Sequence, residues 1–300
     1  MSKVDSIKAR LRNVALKNGK PYEYVLTHYF IERVLSRISV SPYAHNFVLK
    51  GGLLLQAVLE EQARATRDID LLAQRISNQE DDLLKMFREI LDINSDDGIV
   101  FDLDSLEASP ITQEAAYQGI SLTINAFLDR TKGRVHIDIG FGDVVTPNPI
   151  SMTYPVLLDT SEIHLNAYSL ESVISEKFHA MVDLAYANSR MKDFFDISML
   201  AVTKDFDGDV LQQAIRSTFV RRDTQMPEVL AIFTESFSQD HDKQRQWAAF
   251  VQRTRITQKG FSETLSLIKG FLEPLYGSSR ENLPWQYNWN HNTLLWTPKE

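Results

Sequence analysis

The chain contains no cysteine, so no disulfide framework is possible and sulfur chemistry says nothing about its redox compartment. It also lacks a long apolar run, and nothing in it approaches the ~20 consecutive apolar residues that span a bilayer. The opening Met1-Ser2-Lys3-Val4-Asp5-Ser6-Ile7-Lys8 has no uninterrupted apolar core of the kind a signal peptide carries. The expectation is a cytoplasmic protein with no membrane partner. Internal repeats and low-complexity tracts are missing too. A surplus of positive charge is the last absence: the formal net charge is −8, whereas nucleic-acid partners are held by Lys and Arg.

That charge is unevenly spread. Between Glu80 and Glu114 eleven acidic residues stand against two basic ones, which leaves the rest of the chain near neutral, at +1. A local basic surface is therefore allowed, with Lys8, Arg10, Arg12 and Lys17 early in the chain and Arg216, Arg221 and Arg222 later as candidates. The same residues serve equally well as an ordinary solvated helix face. A length of 300 residues is enough for two domains, because a single core stops growing near ~250–300 residues.

What is present begins with Lys50-Gly51-Gly52, an apolar stretch from Leu53 to Leu59, and then Thr66-Arg67-Asp68-Ile69-Asp70-Leu71-Leu72. Two glycines let the backbone approach a phosphate closely, and a helix starting at Leu53 would present unpaired N–H groups and a positive dipole end to an anion. In a strand, residues two apart share a face, so Asp68 and Asp70 point one way while Ile69 and Leu71 point the other. Two carboxylates that close repel unless a divalent cation sits between them. Each motif alone has a plainer reading, as a turn or as a solvated strand face.

A third carboxylate has a matching context. In Gly133-Arg134-Val135-His136-Ile137-Asp138-Ile139-Gly140-Phe141 the apolar residues alternate onto one face, which leaves His136, Asp138 and Gly140 on the other. Gly140 leaves room for a ligand beside Asp138. His136 is read as a satisfied sheet residue.

Helical patterning covers residues 5–40 on either side of Pro21, with Ile7, Leu11, Val14 and Ala15 on one stripe and Tyr24, Ile31, Leu35 and Ile38 on a second. From Phe47 to about Thr160 strands and helices alternate, including a helix over Asp81 to Leu91. A hairpin is expected in which Ile120, Leu122, Ile124, Ala126 and Leu128 alternate and Lys132-Gly133 turns the chain. Pro147, Pro149 and Pro155 mark a closing loop, everything after Ser169 reads as helical, and the tail from Pro284 is expected to pack on that helical part.

In the helical part Ile174, Phe178, Met181, Val182 and Ala185 form an apolar stripe with Lys177 at its edge. On spacing alone the lysine stem lies on the core and its head snorkels to water. Asn188 or Ser189 can cap a helix beginning near Arg190, and an acidic residue in its first turn, Asp193, is stabilised by the helix dipole by ~0.3–1 kcal/mol. Neither residue needs a function on these grounds.

The order of Gly-Gly, Asp-x-Asp and a lone strand Asp resembles the nucleotidyltransferases of the DNA polymerase β superfamily. More narrowly, Phe47-Val48-Leu49-Lys50-Gly51-Gly52, Arg64-x-Thr66-Arg67-Asp68-Ile69-Asp70, Ile137-Asp138-Ile139-Gly140-Phe141-Gly142-Asp143, Glu176-Lys177 and Met191-Lys192-Asp193-Phe194-Phe195-Asp196 resemble the AbiEii/AbiGii toxin family over most of residues 5–200. One departure from the superfamily pattern is Gly52 where a serine hydroxyl would meet the phosphates. The gap from Gly52 to Asp68 is also longer than in the antibiotic-modifying members.

The resemblance implies an α+β fold: a polymerase β-type core with a mixed sheet and helices over 46–165, N-terminal helices over 1–45, and a C-terminal helical domain over 166–300. It implies Mg²⁺ held by Asp68, Asp70 and Asp138, and an NTP bound by Lys50, Gly51, Gly52, Thr66 and Lys177. Asp193 is implied as a further functional carboxylate in preference to Asp196, which is read as structural. The implied activity is NMP transfer to an acceptor such as the 3′ end of tRNA, blocking translation, in a type IV toxin–antitoxin or abortive-infection system with an antitoxin encoded beside it. A small-molecule or protein nucleotidyltransferase, or a non-catalytic nucleotide-binding regulator, would share the same metal and phosphate motifs.

Overall fold

The computed structural model describes residues 2–111, 119–158, 162–256 and 259–299. The far end of the acidic stretch, Glu114, and the expected core limit at Thr160 lie outside the described residues. In chain order the elements are α1 (Lys3–Lys17), α2 (Tyr22–Val40), β1 (Phe47–Lys50), α3 (Gly51–Leu59), β2 (Asp68–Ala73), α4 (Glu80–Leu91), β3 (Ile99–Ile111), β4 (Gly119–Leu128), β5 (Thr131–Phe141), β6 (Ile150–Tyr154) and β7 (Ile163–Ala167). They continue with α5 (Leu170–Leu184), α6 (Met191–Thr203), β8 (Phe206–Asp207), α7 (Gly208–Arg221), α8 (Glu235–Ser238), α9 (His241–Thr254), α10 (Phe261–Arg280), β9 (Tyr287–Asn290) and β10 (Leu295–Pro298). The fold is mixed α+β, in two compact units.

The first unit comprises residues 1–57, 66–142 and 150–167. Its seven-stranded sheet has the order β3-β4-β5-β2-β1-β7-β6. β2 runs parallel to β5 and β1 parallel to β7, while the remaining pairs are antiparallel. The alternation in β4 is strict, and Ile120, Leu122, Ile124, Ala126 and Leu128 are all buried. Helix α2 is buried along most of its length and carries charge inside: Arg37 holds Asp97 through two bonds of 2.7 and 3.3 Å, and Arg33 pairs with Glu32. Buried ions persist only where such partners compensate their lost hydration.

The expected hairpin exists but turns elsewhere. Leu128 pairs with Thr131, so Asp129 and Arg130 form a two-residue loop, with Asp129 at φ +56°. Asp tolerates that left-handed conformation, and Lys8 holds its carboxylate at 2.9 Å. Gly133 lies inside β5 opposite Ala126, where a Cβ would meet the ring of Phe30. The glycine serves close packing there, not a turn. The loop expected around Pro147 to Pro155 also holds more structure than its prolines suggest, since β6 begins at Ile150 and pairs with β7.

The second unit comprises residues 58–65, 143–149 and 168–300. Helices α5, α6, α7 and α10 surround an aromatic core containing Phe178, Phe219, Phe194, Phe261 and Tyr276. The unit is not wholly helical, because β8, β9 and β10 form a three-stranded sheet. The strands are only two to four residues long, too short to carry an alternation that registers as strand. The tail does pack on the helices: Trp289 Nε1 donates to the Ala201 carbonyl at 2.7 Å and Trp296 Nε1 to that of Phe271 at 3.0 Å. No described helix is long and apolar enough to cross a membrane.

Candidate active site

In the first unit β1 ends at Lys50, and Gly51 turns the chain at φ +67° straight into α3. An L side chain is strained at that angle, and a Cβ on Gly51 would collide with the Asp70 carboxylate. The helix thus starts at Gly51 and not at Leu53. The Gly52 N–H, one of the free donors of a first helical turn, donates to Asp70 Oδ2 at 3.3 Å. Gly52 is itself pressed against the buried Thr66, whose Oγ1 would lie 2.7 Å from a Cβ placed there.

The parallel register of β2 and β5 sets Asp68 opposite His136 and Asp70 opposite Asp138. Register partners share a face, so all four side chains stand on one side of the sheet, while Ile69, Leu71, Ile137 and Ile139 are buried on the other. Lys50 is the partner of Asp70 on β1 and brings an ammonium to the same face. Its Nζ lies 3.5 Å from the point a Cβ on Gly140 would occupy, so the room beside Asp138 receives the end of the Lys50 side chain. Across β4, Ser121 faces Asp138 and adds a hydroxyl that the sequence pattern did not single out. Its place in an alternating strand was visible, but its partner was not.

Hard carboxylate oxygens on adjacent strands suit a Mg²⁺-like cation. Among the described residues no three His, Asp or Glu side chains converge closely enough to enclose an ion as they stand. One oxygen of Asp70 is engaged by the Gly52 amide.

The second unit holds a buried ion cluster. Lys177 Nζ lies 2.8 Å from both Asp193 Oδ1 and Asp196 Oδ2. Arg190 Nε binds the other oxygen of Asp193 at 2.7 Å, and Arg64 binds Asp196 through Nε at 3.0 Å and its terminal nitrogen at 3.1 Å. Burial alone would drive Lys177 toward its neutral form, but Asp193 and Asp196 outweigh it and raise its pKa. Burial likewise opposes the charge on Asp193, and Lys177 with Arg190 reverses that and lowers its pKa. The lysine does not snorkel to water, and Asp196 is as close a partner to it as Asp193.

The cap expected from Asn188 or Ser189 does not form. Arg190 occupies the cap position without a side-chain bond, and Asn188 Oδ1 instead accepts the Arg190 N–H at 2.7 Å. The carbonyls of Tyr186 and Asn188 are in turn held by the buried Lys243 ammonium, at 2.8 and 2.6 Å. Lys243 carried no local signal, because the carbonyls it binds lie more than fifty residues away.

Two basic candidates prove to be internal. Arg222 pairs with Asp143 at 3.3 Å and Glu176 at 3.9 Å, and Tyr168 OH donates to Glu176 at 2.8 Å. Arg216 donates to the carbonyls of Ser278 and Leu283 at 3.4 and 3.1 Å. Their places on α7 and just past its end gave no hint that they face partners within their own unit.

A family described as "Nucleotidyl transferase AbiEii toxin, Type IV TA system" matches residues 33–266. The chain is therefore a nucleotidyltransferase. It belongs to the AbiEii toxin family of type IV toxin–antitoxin systems. No curated protein matches the sequence. Among solved structures, JHP933 from Helicobacter pylori is similar at 14% identity and a TM-score of 0.48, over 91% of this chain and 93% of that one. A provisionally described nucleotidyltransferase from the same organism is similar at 14% identity and a TM-score of 0.47, over 91% and 96%.

Proposed function

We propose that this chain is a Mg²⁺-dependent toxin that transfers NMP from an NTP to the 3′ end of tRNA, blocking translation. In this reading it acts in the cytoplasm, in toxin–antitoxin or anti-phage defence, with an antitoxin encoded beside it. The observation that supports transfer chemistry is the register pairing of Asp70 with Asp138, next to a helix start whose amide already binds a carboxylate oxygen.

In the reaction an acceptor hydroxyl oxygen bonds to the α-phosphorus, the bond to the bridging oxygen breaks, and pyrophosphate leaves with the displaced electron pair. Gly51 and Gly52 seat phosphate oxygens on backbone amides, and Lys50 adds positive charge on the same face of the sheet. Asp138 takes the proton of the attacking hydroxyl. From the resemblance, Lys177 counters charge on the pyrophosphate and Asp193 is a further functional carboxylate. Asp68, Asp70 and Asp138 would hold the Mg²⁺, whose chemistry is to neutralise charge on the entering and leaving oxygens.

The test is incubation with each labelled NTP, Mg²⁺ and total cellular RNA, resolved on a gel. Label on tRNA is expected, with one equivalent of pyrophosphate released. Label on a metabolite or a protein would replace tRNA as the acceptor, and no pyrophosphate with any NTP would overturn transfer itself.

A further inference from the structure

Helix α5, which carries Lys177, ends at Ala185, where φ is +43° and ψ −120°. A residue with a Cβ rarely adopts that conformation, and it persists only where the surroundings hold it. The segment that follows is a single short 3₁₀ turn, residues 185–187, and an irregular stretch leading into α6. What holds this segment is an ammonium from α9. Lys243 is buried, and its Nζ donates to the carbonyls of Tyr186 at 2.8 Å and Asn188 at 2.6 Å.

From this clamp an unbroken line of hydrogen bonds runs to Lys177. Asn188 Oδ1 accepts the Arg190 N–H at 2.7 Å, and Arg190 Nε donates to Asp193 Oδ2 at 2.7 Å. The other oxygen of Asp193 accepts from Lys177 Nζ at 2.8 Å. Lys243, Asn188, Asp193 and Lys177 are all buried, so a shift of the Asn188 backbone has little slack in which to die out before it reaches Lys177.

We infer that Lys243 is a positioning residue for nucleotidyl transfer: by clamping the carbonyls of Tyr186 and Asn188 it fixes Arg190 and Asp193, and with them the place of the Lys177 ammonium. This rests on the reading above in which Lys177 counters charge on the leaving pyrophosphate. Lys243 itself touches no substrate atom. Charge on the pyrophosphate grows as its bond to the α-phosphorus breaks, so a displaced ammonium costs rate more than NTP affinity.

The experiment uses the full chain with NTP, Mg²⁺ and total cellular RNA, reading kcat and KM by pyrophosphate release and the binding of pyrophosphate itself by calorimetry. Lys243→Gln removes the charge but leaves an amide N–H for one of the two carbonyls. It should lower kcat and weaken pyrophosphate binding, each about tenfold, with KM for NTP within about twofold of the wild type. Lys243→Arg returns cationic N–H donors and should recover both to within about threefold. In a Lys177→Met background, Lys243→Gln should cost less than about twofold more, because residues that act through one another are not additive.

A packing role alone would lower the melting temperature of Lys243→Gln and leave kcat and pyrophosphate affinity of the folded protein unchanged, which overturns the inference. A further fall of about tenfold in the Lys177→Met background overturns it too, since Lys243 would then act by another route. Where Lys243→Gln does not fold, Arg190→Met breaks the same line beside Asp193, and wild-type kcat in that variant overturns the inference. A wild-type chain that releases no pyrophosphate with any NTP overturns the transfer reading and this one together, whereas turnover that is equal in the wild type and Lys243→Gln overturns only this one.

Discussion

Asp70 and Asp138 are direct register partners on adjacent parallel strands, although 68 positions separate them in the sequence. Their side chains consequently share a face and lie as neighbours across the ladder. Asp70→Asn and Asp138→Asn keep shape and hydrogen-bonding capacity but lose the charge. Each is expected to reduce pyrophosphate release by about a thousandfold while circular dichroism stays unchanged. A folded Asp138→Asn protein with wild-type turnover would remove Asp138 from the chemistry.

Lys177 separates two effects. Replacing it by Met leaves Asp193 and Asp196 buried, with Arg190 and Arg64 still bound to them but the cation between them gone. A snorkelling lysine would tolerate this change. The ion cluster instead predicts a loss of about 3 kcal/mol in urea unfolding, the cost of breaking a buried pair from one side. An unchanged unfolding midpoint would show that the cluster is energetically idle.

Gly51→Ala meets two obstacles, a φ of +67° and the Asp70 carboxylate. The expectation is about 1–3 kcal/mol of destabilisation together with NTP binding at least about tenfold weaker. Wild-type affinity in this variant would mean that the glycine turn does not seat phosphate.

Stability should fall as the solution is acidified. Burial pushes His28 down to about 4, aided by Arg67 and Lys20 and opposed by the backbone of Thr66. Burial also pushes His179 down to about 4, aided by Arg222 and opposed by Asp183 and Asp143. The unfolded chain takes up these protons below a pH of about 6.5, while the folded chain resists until near 4. The stabilisation is therefore complete above pH 6.5 and is lost on the way down to 4, by roughly 2 kcal/mol for each histidine after solvent screening. Urea midpoints at pH 7, 6 and 5 should decline, less steeply in His28→Asn. A flat profile would contradict the neutral buried state of both rings.

Salt and charge reversal test the acceptor. Transfer to tRNA should weaken steeply with rising salt, as phosphate contacts do. Arg222→Glu is not a clean probe of RNA binding, because it places another carboxylate beside Asp143 and Glu176 and should lower the melting temperature. Arg221→Glu, at an exposed position, should raise KM for RNA more than for NTP. Equal KM values for RNA in the wild type and this variant would take Arg221 out of the acceptor path.

Much of the frame was legible in the amino-acid order. The stripes of α1 and α2, the alternation of β4 and β5, and the shared face of Asp68 and Asp70 all follow from periods of 3.6 and 2, which are local properties. Local patterns misled where one residue type serves two purposes. Gly133 looked like a turn and is a packing position against Phe30, while the two-residue turn fell on Asp129 and Arg130. The short strands β6, β8, β9 and β10 left no usable period and are fixed by their pairing partners.

By itself, then, the sequence determined the order of the motifs and the faces on which their carboxylates lie, because backbone geometry converts spacing into direction. Only the tertiary structure decided who meets whom. It paired Asp70 with Asp138, brought Lys50 toward Gly140, and enclosed Lys177 between Asp193 and Asp196. It also turned Arg222 inward to Asp143. Such contacts depend on strand register and on how buried charges find compensation, and both are settled between segments far apart in the chain, where no local period reaches.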